Sequence, residues 1–139
     1  MVPIEGGPPT EIVKEFASGV SVSLDSRSLM YSTQDEQNRA VLVTCDLPSC
    51  TNRRTFSRPE GGLFRWGPDG TSIAYRDAAT QANLWLQPLD GTAARQLTRF
   101  AADRTINDYA WSRDGKRLAV TRQSIGNDIV LFKGLRPAR

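Results

Sequence analysis

Apolar residues in this chain recur at every second position in short runs, and each run leads directly into a turn signal. Phe64 and Trp66, Tyr109 and Trp111, and Val20 and Val22 each enclose a single residue. Such alternation predicts a strand with one buried face, because successive strand side chains point to opposite sides. Asp69-Gly70 and Asp114-Gly115 follow the first two pairs. Asp bonds its own backbone and Gly accepts positive φ, so each dipeptide predicts a tight hairpin. Ile73-Ala74-Tyr75 and Leu118-Ala119-Val120 then predict the returning strands. The remaining copy reads Asp25-Ser26, and the missing Gly predicts a different turn type or a slightly strained one. No segment shows a helical period, and Asp77 to Ala82 reads as a polar loop.

These runs belong to a repeat of 44 to 45 residues. The segment Phe64–Tyr75 returns 45 residues later as Tyr109–Val120, and stands 44 residues after Val20–Tyr31. A second register repeats as well. Asn83-Leu84-Trp85-Leu86 returns as Asn127-Asp128-Ile129-Val130 and is anticipated by Arg39-Ala40-Val41-Leu42-Val43. These predict third strands. Pro88-Leu89-Asp90-Gly91 and a fourth strand around Arg95-Gln96-Leu97-Thr98 come next. The N-terminus copies that second half, in Pro3-Ile4-Glu5-Gly6 and Glu11-Ile12-Val13. Four short strands per unit of this length is the pattern of a propeller blade. The expected fold is all-β, a partial β-propeller of about three four-stranded antiparallel blades. The expected division over 1–139 is the third and fourth strands of one blade in 1–17, complete blades at 18–58 and 61–100, and an incomplete blade at 105–135.

Trp66-Gly67-Pro68-Asp69-Gly70-Thr71-Ser72-Ile73-Ala74-Tyr75, Asn83-Leu84-Trp85-Leu86, Leu89-Asp90-Gly91 and Arg95-Gln96-Leu97-Thr98 together resemble the TolB-type, WD-repeat-like blade. In that family the blade reads W-S-P-D-G, a hydrophobic strand, a third strand, D-G and R-Q-L-T. Gly67 stands here for the usual Ser and Arg113 for the usual Pro. The C-terminal run Asp128 to Arg136 resembles the closing end of propellers in large bacterial regulators, which fuse a kinase or a winged-helix domain to the propeller. The resemblance implies a non-catalytic module for protein–protein interaction or sensing. Its alternatives are the accessory propeller of a prolyl-oligopeptidase-type peptidase and a TolB-like envelope binding protein.

Composition narrows the chemistry. The chain of 139 residues contains no histidine, which excludes a Ser-His-Asp triad, a Cys-His pair and imidazole metal ligands. Asp69, Asp90 and Asp114 each belong to a turn, and turn chemistry accounts for them. Asp103, Asn107 and Asp108 could in principle offer oxygen ligands to a cation, but read as polar loop ends. Gly61-Gly62 reads as a lone pair in a loop. No catalytic, cofactor-binding or metal-binding residue is assigned. Trp66, Trp111 and Trp85 read as core, and alternation alone leaves Tyr109 unplaced. Cys45 and Cys50 enclose a turn at Pro48, with free thiols, a disulfide, and metal or redox chemistry all open.

A net charge of +3 does not require nucleic acid, and Asn52-Arg53-Arg54 reads as a solvated basic spot. No apolar run is long enough to span a membrane, and Met1 to Pro9 has no signal-peptide pattern. The compartment is left open between the cytoplasm and an extracytoplasmic site. Three blades do not close at ordinary blade width, so the expected partners are further blades, a protein partner, or other copies meeting at open blade edges.

Overall fold

A computed structural model describes residues 1–2 and 4–124, and among them every regular element is a strand. The first sheet holds β1 (Ser18–Val22), β2 (Ser28–Gln34), β3 (Ala40–Asp46) and β4 (Thr51–Ser57). The second holds β5 (Gly61–Trp66), β6 (Ser72–Asp77), β7 (Leu84–Pro88) and β8 (Arg95–Gln96). The third holds β9 (Thr105–Trp111) and β10 (Leu118–Gln123). All pairs are antiparallel and each sheet runs in sequence order, so every sheet is an up-and-down blade. The strands expected in 1–17 do not form among the described residues. Ile12, Val13 and Ala17 instead pack onto one face of the first blade. The third strand expected at Asn127–Val130, and the run from Asp128 to Arg136, lie outside the described residues.

Side chains alternate across each blade, and the core lies between blades as layers. Leu29, Tyr31, Val41 and Val43 face the N-terminal segment, while Met30 and Leu42 face the second blade. There they meet Phe64, Trp66, Ile73 and Tyr75. The far face of the second blade, Ala74, Leu84 and Leu86, meets Ile106 and Tyr109 of the third. A sheet with both faces apolar is stable only when stacked, which is the logic of a radial repeat.

The three β1–β2-type turns are built alike. Ser23, Gly67 and Ser112 each pair their backbone N–H with a carbonyl five residues on, at 2.9, 2.8 and 2.9 Å. The third residue beyond each has positive φ: 61° at Ser26, 66° at Gly70 and 69° at Gly115. The first turn is therefore of the same type as the others, with a serine held in the left-handed region. Gly115 also meets a spatial demand, since a Cβ there would stand 2.7 Å from Pro68 Cβ and 3.5 Å from Leu24 Cδ1. The turns of all three blades thus converge.

Cys45 and Cys50 form a disulfide across the β3–β4 hairpin, and both are buried in the first blade's core. Closing so short a loop restricts the unfolded chain by about 2 kcal/mol. The Cys45→Ala/Cys50→Ala variant is expected to lose about that much in urea unfolding relative to the oxidised protein.

The N-terminal segment is tied down by a second device. Arg53 of β4 forms an ion pair with Glu15, and the Tyr31 hydroxyl donates to the same carboxylate at 2.7 Å. These donors hold the Glu15 carboxyl down to about 2, from an ordinary 4.5. The folded value lies below the unfolded one, so this contribution is complete above pH 4.5 and is lost as pH falls towards 2. Urea titrations across that range are expected to show the stability advantage of the native protein over Glu15→Gln shrinking as pH falls.

Candidate functional site

The carboxylates singled out along the sequence are occupied by their own surroundings. Asp25 accepts from the Ser23 hydroxyl at 2.6 Å and the Arg27 amide at 3.1 Å. Asp114 accepts from the Ser112 hydroxyl and the Lys116 amide. These donors hold both carboxyls below their usual range. In the second blade the turn serine is replaced by Gly67, and Ser72 supplies the hydroxyl to Asp69 from the opposite strand at 2.8 Å. A Cβ on Gly67 would stand 2.2 Å from Ser72 Oγ, so the missing side chain makes room for the relocated one. Asp90 accepts from the Thr92 amide and hydroxyl at 2.9 and 2.7 Å.

Asp108 pairs with Arg65 at 2.7 Å and Asp103 with Arg122 at 3.0 Å. Among the described residues no three His, Cys, Asp or Glu side chains gather where they could share a metal ion. The basic spot lies on β4: Asn52 donates to Asp46 at 2.7 Å, Arg53 holds Glu15, and Arg54 lies over the Phe56 ring at 5.1 Å. Gly61-Gly62 opens strand β5 and is not a loop. No helix among the described residues is long and apolar enough to cross a membrane.

The aromatic positions organise the seams between blades. Trp66 is buried against the first blade, and Trp85 is half-buried beside the same layer. Trp111 is half-buried in the next layer. Tyr109 is 2% exposed, and its hydroxyl reaches the carbonyls of Leu63 at 2.7 Å and Ala74 at 2.8 Å. The Arg65 guanidinium lies 5.5 Å from its ring centre.

The repeat makes one surface anomalous. Phe64 and Trp66 are covered by the first blade, and the equivalent Tyr109 and Trp111 pack against the second. The equivalent Val20 and Val22 are covered by no blade among the described residues and are 59% and 48% exposed. Val22 pairs with Leu29, which places it on the face that the N-terminal segment covers only in part. Phe16, at the end of that segment, is 79% exposed. The result is an apolar strip at the same blade position that a neighbouring blade covers twice elsewhere in the chain. Sequence alternation identified the position, but only the stacking order shows that it lacks cover.

No family profile and no curated protein matches the chain. Solved structures do. TolB from Acinetobacter baumannii superposes with a TM-score of 0.58 at 17% identity, over 78% of this chain and 27% of that one. The acylaminoacyl peptidase of Pyrococcus horikoshii gives 0.50 at 19% identity, over 76% of this chain and 17% of that one. The β-propeller domain of the Trilobed protease from Pyrococcus furiosus gives 0.49 at 18% identity, over 76% of this chain and 34% of that one. The chain therefore spans about a quarter of TolB and less of the peptidase. With its stacked up-and-down sheets, converging turns and echoed strands, the chain has the TolB-like β-propeller fold, described here as two four-stranded blades and the first two strands of a third.

Proposed function

We propose that this segment is a non-catalytic propeller module for protein–protein interaction, and that the first blade's Val20–Val22 strip docks against a further blade-like sheet. The observation that carries this is the exposure of Val20 and Val22 at a position that a neighbouring blade covers in both other blades, where Phe64, Trp66 and Tyr109 are buried and Trp111 is half-buried. Exposed apolar surface of this kind is removed from water by association. The fitting partner presents a small and aliphatic face, as Ala74, Leu84 and Leu86 do to the third blade. Further blades of a ring supply such a face, and so does a second copy of this chain. The absence of histidine from all 139 residues supports a binding role over hydrolytic chemistry by this segment.

Analytical ultracentrifugation of the isolated chain at rising concentration tests the reading. Reversible self-association is expected, with the Val20→Glu/Val22→Glu variant remaining monomeric and folded. A native chain that stays monomeric at every concentration and binds no apolar dye at this strip would overturn it.

A further inference from the structure

Arginine, aromatic ring and carboxylate come together repeatedly among the described residues. Arg53 lies 5.9 Å from the centre of the Tyr31 ring and pairs with Glu15. Arg65 lies 5.5 Å from Tyr109 and pairs with Asp108. Arg122 lies 4.5 Å from Phe100 and pairs with Asp103. In each case the ring face attracts the planar guanidinium and the carboxylate accepts its N–H groups.

One further place has the rings and the carboxylates but no arginine. Tyr75 and Trp85 stand opposite each other on β6 and β7, and both line a cavity of about 480 Å³. That volume is in the range of specific ligand sites. Glu60, Asp77, Ala94 and Gln96 stand in the same wall, which contains no Lys or Arg. Asp77 accepts from the amides of Thr80, Gln81 and Asn83 and, on both oxygens, from the Thr80 hydroxyl. It therefore contributes charge to the cavity rather than a free acceptor. Glu60 is exposed and has no ion pair among the described residues. Arg58, two residues before it, is turned to the Phe64 ring, 5.0 Å from its centre, and to the Gly61 carbonyl.

The repeat accounts for the gap. In the first blade Tyr31 pairs with Val43, and Val43 with Thr55. In the second, Tyr75 pairs with Trp85, and Trp85 with Gln96. Tyr31 and Tyr75 are 44 residues apart in the repeat, so Thr55 and Gln96 are equivalent. Two residues before Thr55 stands Arg53, and two residues before Gln96 stands Ala94. Extended residues at that spacing share a face. The cavity thus lies where the first blade places its own guanidinium. Glu15 is matched 44 residues on by Pro59, next to Glu60, so a carboxylate remains beside the vacant position.

We propose that this cavity binds the side chain of an arginine from a protein partner. A guanidinium stacks on an aromatic face and donates to Glu60 at the same time, which the compact charge of a lysine does less well. The site belongs to the second blade and the Val20–Val22 strip to the first, so either can fail without the other.

The probe is the peptide acetyl-Gly-Arg-Gly-amide, titrated into isotope-labelled protein with the Trp85 indole N–H resonance as reporter, assigned by its loss in Trp85→Phe. Comparison peptides carry Lys, or citrulline, which keeps the shape of arginine and loses its charge. The Arg peptide is expected to give a saturable shift and to bind at least about tenfold more tightly than the citrulline peptide, with Lys weaker than Arg. Ala94→Arg returns a guanidinium to the position it holds in the first blade and is expected to abolish binding of the peptide. Glu60→Gln, at an exposed position, is expected to weaken it, and decides the matter if Ala94→Arg does not fold. No saturable shift up to about 10 mM, binding of the citrulline or Lys peptide as tight as that of the Arg peptide, or unchanged binding in the folded variants would each overturn the proposal.

Discussion

Tyr109→Ala is expected to lower stability by about 3–5 kcal/mol, among the largest losses any single side chain here can cause. The side chain is almost fully buried between the second and third blades, so truncation leaves a cavity that two stacked sheets cannot easily close. Its hydroxyl also serves the carbonyls of Leu63 and Ala74, which lie on two different strands of the second blade. Burial pushes the phenol well above its ordinary range, so it stays neutral and able to donate. Tyr109→Phe isolates the polar part: it keeps the packing but leaves buried carbonyls short of a donor, at about 1–3 kcal/mol. Urea unfolding of the native protein and both variants separates the two contributions. If Tyr109→Phe proves as damaging as Tyr109→Ala, the bridge between blades is chiefly polar. A negligible effect of both would mean that the third pair of strands is not docked as described.

The second large effect is expected at Gly61. The residue has φ of 154°, and a Cβ there would stand 2.1 Å from the Arg76 carbonyl oxygen and 3.0 Å from Tyr75 Cδ2. The carbonyl belongs to the neighbouring strand and cannot rotate away as a side-chain tip could. Gly61→Ala therefore forces β5 off β6 at their outer end, where Gly61 pairs with Asp77. Overpacking of this kind costs about 1–3 kcal/mol and occasionally more, and the rare backbone conformation adds to it. A total of about 3 kcal/mol or more is expected in urea unfolding. Gly62→Ala is the control, since its Cβ would meet only the Arg76 guanidinium, at 3.7 Å. Equal losses at the two positions would contradict the placement of this strand start.

Such positions mark the boundary between what residue order states and what it leaves open. Alternation at Phe64/Trp66 and Tyr109/Trp111, followed by Asp-Gly, specified strands and turns because pleating and turn chemistry act over a few residues. The echo at 44 to 45 residues then specified blades, since equal units bury equal faces only by stacking. The same local logic overstated the N-terminus. Ile12 and Val13 resemble part of a fourth strand, yet they pack on the face of the first blade as an irregular segment and pair with neither of its edge strands. It also understated Gly61, whose need for glycine comes from Arg76, fifteen residues away in the chain but adjacent across the sheet. Cys45 and Cys50 were compatible with several states, and the close approach of their strands made the bond.

By itself, the amino-acid order determined the all-β class, the blade repeat, the turn positions and the absence of imidazole chemistry, because each depends on residue type and short spacing. Tertiary structure alone decided which apolar pair is uncovered and where Tyr109 finds its carbonyls. Those properties depend on which sheet lies against which face. Stacking order controls that, and no single segment encodes it.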